Sequence, residues 1–306
     1  MGIETAFQQM IILFVSIICG FAAYRLKIID EAGCKVVTAL VMNITLPCFI
    51  ISSGFGGQRE AEEVSMLVYF GASLLCYIAA YLIGTALSRL PFFKLSDRRL
   101  CSFMTTFGNN GFIGLPFVGA LFGSDAVLYA TIFNLPFNFL VFTIGIFLVS
   151  DKFSWHDIKP RMFVNACLIA SVIAIILYLA NVQAPPLITA CLDTLGSATV
   201  PLAMIITGAS LGKETPREVF ANLGLYVVSL AKIALVPFVS YGILSLLIPN
   251  TPLVQIGTLL MAMPIAANST ILCLQYGGND RMASRGVFLS TLLSVVSIPL
   301  RTLMIG

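Results

Sequence analysis

Residues 107–116 read Phe107-Gly108-Asn109-Asn110-Gly111-Phe112-Ile113-Gly114-Leu115-Pro116. Three glycines, two asparagines and a proline in ten residues make a poor continuous helix. Pro116 lacks a backbone donor and crowds the turn before it. Yet the stretch lies inside an apolar run, about 99–122. A second run, about 252–276, is interrupted in the same way by Met263-Pro264-Ile265-Ala266-Ala267-Asn268-Ser269-Thr270. Unwound backbone at membrane depth survives only where protein buries it or where it lines a watery cavity. Two such breaks predict paired discontinuous membrane helices, with a binding site where they meet.

Composition fixes the environment. Of 306 residues, 58% are hydrophobic and 10% charged, against roughly 45–50% and about 25% in soluble domains. So little charge cannot wet a globular surface. A soluble enzyme, a secreted disulfide scaffold and a disordered chain are excluded. Ten spanning helices of about 20 residues each leave short loops and no separate soluble domain. The net charge of +3 carries no nucleic-acid signal. The cysteines at 19, 34, 48, 76, 101, 167, 191 and 273 lie in or beside apolar runs, and none forms a C-x-x-C. They read as buried small hydrophobes, with no disulfide framework and no metal site. The first apolar run has no basic leader and no A-x-A site, so it reads as a retained helix.

The apolar segments fall at about 5–24, 33–54, 64–88, 99–122, 125–149, 162–181, 187–210, 219–248, 252–276 and 282–304. The predicted class is therefore an all-α polytopic membrane protein with ten transmembrane helices. Alternate loops hold 14 of the 17 basic residues, among them Lys27, Arg89, Arg99, Lys159, Arg217 and Arg281. The positive-inside rule makes those loops cytoplasmic and puts both termini on the non-cytoplasmic side. The expected location is a bacterial inner (plasma) membrane.

An internal repeat is visible. Thr45-Leu46-Pro47 with Ser53-Gly54 and Thr199-Val200-Pro201 with Thr207-Gly208 share one pattern at an offset of 154. The same offset aligns Phe122-Gly123 with Tyr276-Gly277. Two halves of five helices insert in opposite senses, because five is odd. The expected organisation is a first five-helix repeat at 1–150, a cytoplasmic linker at 151–161 and a second, inverted repeat at 162–306, as in secondary transporters.

Free N–H groups and half-helix N-termini at the two breaks suit an anion, typically a carboxylate. Asparagine amides donate to carboxylate oxygens without a fixed charge. The expected substrate-binding residues are Asn109, Asn110, Gly111, Gly114, Pro116, Pro264, Asn268 and Ser269. Packing kinks with asparagine as interhelical glue are the bland alternative. Lys232 lies well inside segment eight, where it either balances an anion or snorkels to the cytoplasmic face. Asp193, early in segment seven, is either a coupling site or an interfacial cap. Asn134 and Asn138 share one face of segment five, and Ser290, Thr291 and Ser294 lie in segment ten. These line the same cavity or bond between helices. His156 beside Trp155 reads as an interfacial anchor.

Asn109-Asn110-Gly111-Phe112-Ile113-Gly114-Leu115-Pro116 resembles the N-[TN]-G-φ-φ-G-φ-P signature of the auxin efflux carrier family. Leu46-Pro47, Pro201-Leu202-Ala203-Met204, Pro264 through Asn268 and the closing 289–300 stretch are also similar to it. The short Ser150–Arg161 linker resembles compact prokaryotic members rather than plant exporters with a long central loop. The resemblance implies inverted repeats with segments four and nine crossing at mid-membrane. It implies a dimerising scaffold from segments one, two, six and seven. Segments three to five and eight to ten would form a transport unit that moves like an elevator. It implies organic-anion substrates such as auxin, malate or malonate. Asn109 stands where the family's asparagine contacts substrate, Pro116 and Pro264 flank the crossover, and Asn268 faces it.

The expected function is a secondary transporter for a small mono- or dicarboxylate, working in a lipid bilayer as a homodimer, with no cofactor and no nucleic-acid partner. No Walker A motif is present to make ATP the direct drive. A sodium symporter of the bile-acid type would want carboxylate or clustered carbonyl ligands, and neither break contains Asp or Glu. An intramembrane enzyme would want a histidine, paired carboxylates or a metal cluster at depth. A channel or a sensor is the remaining rival.

Overall fold

Inside a bilayer every backbone donor and acceptor must be satisfied internally, so apolar runs of this length close into helices. A computed structural model describes residues 3–55, 65–91, 93–150, 165–213, 222–249 and 251–305. The described chain is all-helical, with twelve helices and no strand. In chain order these are α1 (Ile3–Arg25), α2 (Glu31–Ser52), α3 (Met66–Leu87), α4 (Arg98–Thr106), α5 (Asn110–Phe122) and α6 (Asp125–Val149). They continue as α7 (Ala166–Leu179), α8 (Pro186–Gly212), α9 (Leu223–Leu247), α10 (Thr251–Met261), α11 (Asn268–Tyr276) and α12 (Asp280–Ile305). Six of them, α2, α3, α6, α8, α9 and α12, are long and apolar enough to cross a membrane. Segment four is divided into α4 and α5, and segment nine into α10 and α11.

Starts are capped where the sequence supplies a short polar side chain. Asp30, Ser65, Asn165 and Asn222 accept backbone N–H bonds at the heads of α2, α3, α7 and α9. Four helices carry a widened π turn. Those at Val41–Thr45, Asn110–Gly114 and Ala231–Leu235 stand just before Pro47, Pro116 and Pro237. A proline ring collides with the carbonyl four residues earlier, and the wider turn moves that carbonyl aside without ending the helix. The fourth, at Val141–Gly145, follows Pro136.

Two groups of helices emerge from the packing. In one, α1 lies along the second half of α8, while the second half of α2 packs on α7 and on the first half of α8. Glycine permits both approaches. Gly20 meets the backbone of Ile205, Gly208 meets that of Ile17, and Gly54 meets that of Ala174. In the other, α3 packs on α4, α6 and α9, α9 on α10 and α12, α5 on α6, and α11 on α12. Its interior is aromatic. Tyr77 stacks on Phe107 at 6.4 Å, and Phe107 meets Phe103 at 4.8 Å. The turn before α4 and the turn after α11 lie together, tied by the Asn279 amide donating to Asp97 Oδ1 at 3.0 Å.

All eight cysteines are free. Four are buried and Cys48 and Cys167 are half-buried, but Cys19 and Cys191 are exposed. The expectation that all eight are buried is corrected for these two, which sit on outward faces of α1 and α8. The 151–161 linker, with Trp155 and His156, lies outside the described residues.

The glycine contacts make a testable demand. A Cβ on Gly208 would collide with the Ile17 carbonyl, whereas one on Gly242 meets nothing within 4 Å. Gly208→Ala is expected to lower stability in detergent by about 1–3 kcal/mol. Gly242→Ala should leave it unchanged or slightly raised. Thermal unfolding of the two variants beside the wild type checks this.

Candidate functional site

The two breaks satisfy one another. Phe107 leaves α4 in an extended conformation, and Gly108 pairs antiparallel with Ile265. The Asn109 N–H donates to the Pro264 carbonyl at 2.7 Å, and the Ala266 N–H donates to the Phe107 carbonyl at 3.0 Å. The Ile265 N–H donates to Ser290 Oγ at 3.0 Å, and that hydroxyl donates on to the Val287 carbonyl. The donors freed by unwinding are thus taken up by the opposite break and by α12.

The first break lies at Phe107–Asn109. Sequence reading attributes it to Pro116 as well, and that is corrected here. Pro116 sits near the start of the regular part of α5, where a proline is tolerated, and the π turn before it absorbs its ring. Pro264 lies within the crossover, through its carbonyl.

Four half-helices converge on this point. α4 and α10 end at it, presenting C-terminal carbonyls, while α5 and α11 begin at it, presenting N-terminal amides. Asn109 occupies the position before α5, is buried, and makes no capping bond with its side chain. Asn110 is fully buried. Its amide nitrogen donates to the Tyr77 hydroxyl at 2.9 Å and to Asn134 Oδ1 at 3.0 Å, which anchors α5 to α3 and α6. The buried atoms Asn110 Oδ1, Asn268 Oδ1 and Ser269 Oγ have no hydrogen-bond partner among the described residues. Buried polar groups of this kind find water or a ligand. Gly111 adds an open position in the first turn of α5. Gly114 lets α5 approach Leu260 and Met263, so that the two broken segments touch.

Lys232 does not snorkel. Its side chain is fully buried, and its ammonium donates to the Thr106 carbonyl at 3.3 Å, at the C-terminal end of α4. The structure therefore brings Lys232 to the break that holds Asn109 and Asn110 and that closes on Pro264, while Asn268 and Ser269 begin α11 directly after the second break. It does not bring Asp193 there. That residue is exposed on the first half of α8 and makes no hydrogen bond or ion pair among the described residues. Asn138 is half-buried and outside the Asn110 network, and Ser294 bonds the Thr291 carbonyl of its own helix. Tyr77, Thr106 and Gly108 were not singled out as contributors. Tyr77 is one tyrosine in an apolar helix, and Thr106 acts through its backbone. Gly108 alone carried a signal, as part of the glycine-rich run.

A family described as membrane transport protein matches residues 5–160 and again 158–302. At 25% identity over 301 residues, 95% of this chain and 96% of the relative, the chain is similar to an uncharacterized transporter of Methanocaldococcus jannaschii. At 24% over 303 residues, 96% of each, it is similar to another uncharacterized transporter, from Methanothermobacter thermautotrophicus. At 27% over 303 residues, 93% of this chain and 91% of the relative, it is similar to a protein of Rhizobium meliloti named "Putative malonate transporter". This is a transporter family and not an enzyme family. The matches span nearly the whole chain, which belongs to the membrane transport protein family, that of the auxin efflux carriers its segment-four motif resembles.

Proposed function

We propose that the protein is a secondary carrier for a small organic anion, a mono- or dicarboxylate of the malonate or malate kind. The anion binds at the crossover of segments four and nine. The observation that carries this reading is the pair of breaks closed on each other by Asn109–Pro264 and Phe107–Ala266 backbone bonds. That closure leaves the Asn109, Asn268 and Ser269 side chains at the starts of α5 and α11 for a ligand. A carboxylate is the ligand such groups suit. The name of the Rhizobium meliloti relative supports the same substrate class.

Ten spans in two inverted five-helix repeats complete the proposal. Reciprocal packing supports it. Segment one packs on the second half of segment seven, and segment six packs on the second half of segment two. Gly54 and Gly208, 154 residues apart, sit at those two contacts. Gly123 and Gly277, related by the same offset, both end a half-helix with positive φ. We read segments one, two, six and seven as a scaffold through which two copies pair. The remaining six form a unit that carries the site between the two faces, with the basic loops cytoplasmic.

Reconstituted protein is expected to show saturable counterflow of labelled malonate or malate. Asn109→Ala and Asn268→Ala each remove a hydrogen bond to a charged ligand, costing about 1.5–3 kcal/mol, or roughly 10- to 100-fold in apparent affinity. Absence of counterflow for every acid in a carboxylate panel would sink the organic-anion reading. Asp193→Asn should leave both the rate and its pH profile unchanged, because the residue is exposed and unbonded among the described residues. A flattened profile in that variant would make it a coupling residue instead.

A further inference from the structure

The charge on Lys232 has no acidic partner among the described residues. The ammonium is fully buried, and its one hydrogen bond runs to the Thr106 carbonyl. Helices α4 and α12 pack on the Ala231–Leu235 turn that holds it. α4 contains no acidic residue, and the only one in α12 is Asp280, at its first position. The Lys35–Glu31 ion pair lies elsewhere, at the head of α2. An ammonium held away from water without an anion is costly, and inside a membrane it is retained for function by default.

The surroundings show what would complete it. The end of α4 supplies partial negative charge from Thr106, which orients the ammonium but occupies one of its three protons. Gly108 stands directly against it. A Cβ there would lie 3.3 Å from Lys232 Nζ and 2.9 Å from Asn110 Oδ1. Because glycine has none, the Lys232 ammonium and Asn110 Oδ1 both pack against the Gly108 backbone, which places the ammonium at the break itself. The N-terminal amides of α5 and the Asn109 side chain open at the same break.

We infer that Lys232 is the built-in cation of the transport site: its ammonium balances one substrate carboxylate at the crossover, so that no co-transported metal cation is needed to do so. The inference rests on the carrier reading above and adds the source of the positive charge. It makes the site select for a carboxylate over an equally shaped neutral amide. It also makes transport independent of sodium.

The test uses purified full-length protein in liposomes, with malonate and malonamide as probes. Labelled malonate counterflow in the wild type is expected to be the same in sodium and in N-methylglucamine buffers, and a sodium requirement overturns the inference. Inhibition of that counterflow by unlabelled malonate and by malonamide gives the acid-over-amide preference. Lys232→Gln keeps a donor for the Thr106 carbonyl and removes the charge. Lys232→Met removes both while filling similar space, so at least one neutral variant should fold. Both are expected to lose the preference by about 10-fold or more, through weaker malonate binding with malonamide binding unmoved. A purely structural lysine predicts something else. Lys232→Gln would then behave as wild type, and Lys232→Met would weaken acid and amide alike. Either result overturns the inference. Wild-type protein that exchanges no acid at all would overturn the carrier reading first, and the inference with it.

Discussion

A backbone that unwinds inside a bilayer has to find partners there, and in this protein the two unwound stretches are each other's partner. The antiparallel pair at Gly108 and Ile265, closed by the bonds from Asn109 and Ala266, is an isolated β-bridge between helices. Everything around it follows from keeping that pair closed. The buried aromatic side chains of Tyr77, Phe103 and Phe107 pack together at the end of α4, where the chain enters the pair. Ser290 takes the donor of Ile265, which the pair leaves over. Asn110 is locked to α3 and α6, so that the start of α5 cannot drift. With the paired main chain satisfied, Asn110 Oδ1, Asn268 Oδ1 and Ser269 Oγ are left without a hydrogen-bond partner among the described residues.

The prolines belong to the same economy. Pro47, Pro116 and Pro237 each follow a π turn, so their helices bend and continue rather than break. The two interruptions differ in composition: glycine and asparagine make the first, at Phe107–Asn109, and the second, at 262–267, contains Pro264. A proline before which a π turn stands marks a local widening here, whereas Pro264 lies in the break itself.

How far the sequence could be read depends on which property a residue acts through. Broken segments, capped starts and repeated glycine positions are written in residue type and spacing, and all were legible. Lys232 was legible as a depth but not as a direction. A position along an apolar helix says how far a residue lies from each face, and only packing says whether the stem points to the interface or inward. Tyr77 was invisible because its role is a hydroxyl meeting Asn110 from a helix more than thirty residues away. Asn134 and Asn138 share a helix face by spacing, yet only Asn134 reaches the site network. A helical turn of separation decides this, and periodicity alone does not measure it.

The crossed packing of the two halves has a bearing on how the protein is made. The glycine face of α1 around Gly20 meets its complement only in the second half of α8, near Ile205 and Gly208. Some 180 residues of chain are synthesised between them. During that interval the first helix resides in the bilayer with a groove shaped for a neighbour that does not yet exist. The α2 face around Gly54 waits in turn for α7 and Ala174. A chain ending before α7 would lack the main partners of α1 and α2, although α3 would still have α4 and α6 to pack on. The contacts of the first two helices can close only once α7 and α8 have been added.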